Sequence, residues 1–81
     1  MDKAITYCIN SDYLVEKGQL LKEKLQLWID KLFDEVNVLL FLVEDYSSLI
    51  IDYEYCEQDP KDIENHINIF LDRLNITYDI H

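Results

Sequence analysis

The sequence has few residues that break a chain. Its 81 residues include one glycine, Gly18, and one proline, Pro60. That leaves little room for long loops or linkers, and none for a phosphate-cradling loop, which needs several glycines. Two cysteines, Cys8 and Cys56, are too few for a disulfide framework. Both fall in expected strands and read as buried thiols; whether they pair depends on whether those strands are neighbours. The two histidines, His66 and His81, have no cysteine or second histidine at zinc-ligand spacing. No nucleophile sits in a motif that would mark it as catalytic. The reading is a non-enzyme, with no catalytic, metal or cofactor residue. The longest apolar run, Val38 to Val43, is far too short to span a membrane. Met1-Asp2-Lys3-Ala4 does not open a basic-then-apolar signal peptide. A single cytoplasmic domain over residues 1–81 is expected.

Positive charge is scarce as well. Seven Lys and Arg face 17 Asp and Glu, for a net charge of -10. Such a surface repels phosphate, which argues against direct binding to nucleic acid or anionic lipid. Between Leu32 and Pro60 there is no Lys or Arg at all, while Asp34, Glu35, Glu44, Asp45, Asp52, Glu54, Glu57 and Asp59 fall there. A basic protein partner or a cation suits that stretch; solubility is the plain alternative. Asp52 and Glu54 can share a strand face as paired carboxylates, but no calcium-loop spacing surrounds them.

Apolar residues make up 49% of the chain, too many for a disordered acidic tail. Their spacing gives the elements. Lys3 to Ile9 alternates as a strand, with Ile5, Tyr7 and Ile9 on one side. Ser11 or Asp12 is placed to cap a helix. From Asp12 to Glu35, Leu14, Leu21, Leu25, Trp28 and Leu32 recur at helical steps, widened by Ile29, Phe33 and Val36. Gly18 interrupts that stripe at a cost of about 1 kcal/mol relative to alanine. Either another backbone packs closely there, or the first turn is separate. Leu20 and Leu27 lie off the stripe, half exposed or on a second contact face.

Asn37 to Val43 is a second strand, apolar on both faces. Glu44-Asp45-Tyr46-Ser47-Ser48 is a turn. Leu49 to Cys56 returns as a third strand, with Ile51, Tyr53 and Tyr55 on one side and Asp52, Glu54 and Cys56 on the other. Asp59-Pro60-Lys61-Asp62 is a helix start: Asp59 caps, Pro60 takes the first helical position, and Asp62 faces the positive helix end. Ile63, Ile67, Phe70, Leu71 and Leu74 follow as one apolar face. Asn75 can adopt the left-handed conformation that ends the helix. Ile76 to Ile80 is the last strand.

The order βαββαβ points to an α+β, ferredoxin-like plait: a four-stranded antiparallel sheet, order 4-1-3-2, with two helices on one face. In that order strand 2 is an edge, with one face away from the helices. An apolar edge strand of this kind marks a contact, which puts a homodimer or a docking partner at Val38, Leu40 and Leu42. Strand 2 buried centrally in another order is the alternative. Tyr7, Tyr53 and Tyr55 superficially suit stacking of RNA bases, but the basic signature of such sheets is absent.

Two functional readings follow. In the first, Glu44, Asp45, Asp52, Glu54, Glu57, Asp59, Asp62 and Glu64 form one negative surface. It docks on a basic, nucleic-acid-handling protein such as a nuclease or a CRISPR effector, and Tyr46, Tyr53 or Tyr55 anchors it. In the second, the chain is an assembly module joined through strand 2. In size, charge and compactness the chain resembles small phage-encoded anti-defence inhibitors of the anti-CRISPR and anti-restriction type, and the immunity proteins that neutralise nuclease toxins. That resemblance implies an inhibitor acting by nucleic-acid mimicry in the host cytoplasm. It rests on general character rather than a motif, so it assigns no residue a role.

Overall fold

Six elements follow one another: β1 (Ala4–Ile9), α1 (Ser11–Asp30), β2 (Asn37–Leu42), β3 (Ser47–Asp52), α2 (Pro60–Arg73) and β4 (Tyr78–Ile80). They come from a computed structural model, which describes residues 3–42 and 47–81. The strands form one antiparallel sheet in the order β2-β3-β1-β4. This is the expected plait order read from its other edge, and it makes β2 an edge strand.

Both helices cover the same face. The hydroxyl of Tyr7 on β1 donates to Asn68 Oδ1 on α2 at 2.8 Å. Leu40 on β2 points at Gly18 of α1, within 3.2 Å of where a side chain would begin. Alternation therefore places Tyr7, Ile9, Val38, Leu49 and Ile51 under the helices, where all are buried against Leu14, Leu21, Leu25 and Ile29 of α1 and Ile63, Ile67 and Leu71 of α2. The other face carries Thr6, Cys8, Leu39, Phe41, Ser48 and Ile50, and among the described residues no helix crosses it. Ser48 is nevertheless buried, because Cys8 and Phe41 flank its short side chain in the register.

Several expectations need correcting. The cap of α1 is Asn10, whose side chain accepts from the Tyr13 N–H at 3.1 Å, rather than Ser11 or Asp12. Gly18 lies inside one continuous helix, and its close neighbour is a side chain, not a backbone. The helix stops at Asp30 instead of continuing to Glu35. Its last turn tightens, with Lys31 N–H bonding to Trp28 O at 3.2 Å. Glu35 then turns the chain with φ of 65°. Phe33 and Val36 still bury, but from this turn; Leu32, expected on the stripe, is 43% exposed. Leu20 and Leu27 face solvent.

The third strand is shifted towards the N-terminus. It begins at Ser47, opposite Leu42, and ends at Asp52. There the Asp52 carboxylate accepts the Glu54 N–H at 3.0 Å, a side-chain turn that competes with the ladder. The alternation expected to continue to Cys56 is lost: Tyr55 swings out, 70% exposed, and Cys56 turns into the core. Cys8 sits at the far end of β1 from Ala4, the residue paired with Asp52, and both thiols are free. The start of α2 is as expected. Asp59 caps it, accepting the Lys61 N–H at 2.9 Å, Pro60 opens it, and Asn75 follows it with φ of 58°. The last strand is shorter than expected, Tyr78–Ile80. No helix among the described residues is long and apolar enough to cross a membrane.

Candidate acidic docking site

The antiparallel plan brings two connections together. β1 and β2 begin, β3 ends and α2 begins at one end of the sheet, and α1, which packs on β2 and β3, runs back to finish there. The α1–β2 and β3–α2 connections therefore lie side by side. Between them is a cleft of about 570 Å³, lined by Asp30, Lys31, Leu32, Phe33, Asp34, Glu35, Tyr55, Cys56, Glu57 and Gln58. A second cleft of about 450 Å³ runs along the other side of the β3–α2 connection, past Lys3, Tyr53, Glu54 and Pro60. Tyr55 and Glu57 border both.

The sequence-derived acids divide in this frame. Asp52, Glu54, Glu57, Asp59 and Asp62 gather at this end, all but Asp52 exposed. Glu64 does not join them. It is half-buried on the flank of α2 facing β1 and β4. Burial raises the titration of Tyr7 and Tyr78 there; the charge of Glu64 adds to it at Tyr7, and that of Asp72 and then Glu64 at Tyr78. Glu44, Asp45 and Tyr46 lie outside the described residues; the Leu42–Ser47 pair that brackets them is at the opposite end of β3 from Asp52. A six-residue strand puts those ends roughly 17 Å apart. Of the aromatic anchors, Tyr53 packs against the core and its N–H donates to Lys3 O at 3.0 Å, so Tyr55 alone among the described ones stands free.

Asp30, Asp34 and Glu35 belong to this site, and the grouping read from the sequence left them out. The signal was present, since Asp34 and Glu35 open the stretch without Lys or Arg. The helix expected to run to Glu35 kept them apart from the hairpin acids, whereas α1 ends at Asp30 and both lie in the turn after it. The carboxylates make local bonds only where they shape the chain, as Asp52 and Asp59 do at their turns and Asp30 does with Gln26 Nε2 at 2.8 Å. Among the described residues no group of three or more His, Cys, Asp or Glu side chains is placed to hold one metal ion. The charge is spread around a rim, which fits a broad cationic surface better than a point cation. His66 supports the floor: its Nδ1 lies 2.7 Å from Asp62 O, and its ring meets Phe33 edge-on at 5.2 Å.

The edge expected to mediate assembly is also resolved. Val38 is 2% exposed, and Leu40, half-buried, packs against α1. Leu42 is 49% exposed, as is Phe41, at 47%, on the open face.

Fold and site together define a small acidic α+β plait with a carboxylate-rimmed cleft at one end of its sheet. Comparison with protein-family models, with curated proteins and with solved structures finds no match for the chain.

Proposed function

We propose that this protein is a non-catalytic inhibitor whose acidic end docks on a basic, nucleic-acid-handling protein and keeps nucleic acid out. The observation that carries the reading is the meeting of two separate acidic connections, with Asp34 and Glu35 on one and Glu54 and Glu57 on the other, around a cleft bordered by an exposed Tyr55. A rim of spaced carboxylates resembles a phosphate backbone in charge, and steers a basic groove towards itself over a Debye length. The tyrosine supplies the aromatic anchor that interface energetics favour. The target class is a nuclease or a CRISPR-type defence effector, met in the cytoplasm, and the inhibitor is of the phage-encoded anti-defence kind. Direct contact with nucleic acid or membrane plays no part.

The test compares tagged wild-type protein with the variant Asp34→Lys, Glu54→Lys, Glu57→Lys in a bacterial lysate, washed at low and then high salt. Those side chains are exposed and make no bond that shapes a turn. Salt-labile capture of a basic nucleic-acid enzyme, lost in the variant and competed by DNA or RNA, is the expected result. The loss follows because like charges facing one another across an interface cost several kcal/mol. Equal capture by both proteins refutes the reading.

An assembly module is the second reading. Its observation is the uncovered apolar strip of Leu39, Phe41 and Ile50 on the open face. Under that reading Phe41→Lys abolishes association and the charge-reversed variant does not.

A further inference from the structure

The edge strand β2 is met by a side chain at one point of its outer side. Gln26, on α1, reaches over the edge: its Nε2 donates to Val36 O at 2.8 Å, and its Oε1 accepts the Val38 N–H at 2.7 Å. An acceptor and a donor two residues apart on one strand are what a neighbouring strand would engage. Asp30 fixes the amide's orientation by accepting the second Nε2 hydrogen at 2.8 Å. By the alternation of the ladder the Leu40 N–H points outward too, and among the described residues no hydrogen bond reaches it. From Val36 to Leu42 the edge carries no charge, and Phe41 and Leu42 beside it are exposed. An uncharged apolar edge is a template for strand addition unless something blunts it.

We infer that Gln26 is a built-in guard of this edge: its side-chain amide stands in for a fifth strand and prevents β2 from pairing with β2 of a second copy. The inference is independent of the acidic end. It also means that any strand joining β2 must first displace Gln26.

Amide exchange and sedimentation on the full chain test it. In the wild type the Val38 amide exchanges at least about tenfold more slowly than that of Leu40, and the chain sediments as a monomer. Equal rates, or a wild type that already associates through β2, overturn the guard without any variant. Gln26→Met keeps the length and helix propensity of the side chain and removes both bonds. It brings Val38 exchange to the Leu40 rate and produces self-association that grows with concentration; a folded Gln26→Met chain that stays monomeric overturns the inference. Adding Leu42→Lys returns that variant to a monomer, whereas persistent association places the contact elsewhere and overturns it too. If Gln26→Met does not fold, Gln26→Ala decides, since alanine keeps the helix and reaches neither Val36 O nor the Val38 N–H. It self-associates with Val38 exchanging at the Leu40 rate; a monomer with Val38 still protected refutes the guard.

Discussion

Gly18 is where a helix rule is broken for a neighbour, and the exchange can be measured. Replacing it with alanine gains about 1 kcal/mol of helix propensity. The new Cβ would stand 3.1 Å from Leu40 Cδ2 and 3.2 Å from Leu40 Cδ1, closer than carbon atoms settle. Leu40 can yield, being half-buried on an edge strand, but turning it off its rotamer by some 30° costs about 0.5–1.5 kcal/mol. The two effects offset each other, so Gly18→Ala in the wild type changes stability by less than about 0.5 kcal/mol. With Leu40→Ala the obstructing methyls are gone, and the same substitution stabilises by the full 1 kcal/mol or so. The coupling in the double-mutant cycle is therefore about 0.5–1.5 kcal/mol. Urea unfolding followed by circular dichroism reads this at constant slope, as a midpoint shift of about 0.3–1 M across the cycle. If Gly18→Ala stabilises equally in both backgrounds, Leu40 is not the reason for the glycine and the reasoning fails.

Further outcomes follow from the start of α2 and the buried phenol. Asp59→Ala leaves the Lys61 N–H of α2 without its cap and lowers stability by about 1 kcal/mol in the same urea assay; no change would mean the cap is not formed. Burial, and then the charge of Glu64, raise the Tyr7 phenol above its ordinary 10.0. Folding thus favours the neutral phenol: its stabilisation is complete below pH 10 and is lost as pH rises beyond it, by at most about 1.4 kcal/mol per pH unit. Tyr7→Phe flattens that alkaline decline, at the cost of about 1 kcal/mol at neutral pH for the bond to Asn68; an unchanged alkaline limb would refute the assignment.

Local chemistry in the sequence was enough for some of this. The Asp59-Pro60 start of α2, the left-handed Asn75 and the faces of β1 depend on neighbours within a few residues, so they are legible from spacing alone. The order βαββαβ with one apolar face per helix also restricts the sheet to few arrangements, and the edge position of β2 follows from it. The acidic bias between Leu32 and Pro60 was equally plain. What the sequence determined by itself is thus the set of elements, the plait and the excess of negative charge.

Tertiary structure decided where those elements end and which residues meet. Asp52 stops β3 because its carboxylate bonds the Glu54 N–H, and nothing in the alternation of Tyr53, Glu54 and Tyr55 announces that competition. Glu35 ends the α1 connection in a left-handed conformation that glutamate rarely adopts, held by the burial of Phe33 and Val36 on either side. The two acidic connections meet only because antiparallel pairing returns β3 to the start of β1 and β2. Gln26, an unremarked polar residue in sequence, becomes the partner of an edge strand ten and twelve residues away. Propensity and periodicity act over a turn or a strand. Which carboxylates share a cleft, and which amide closes an edge, is set by contacts across the sheet that no local pattern encodes.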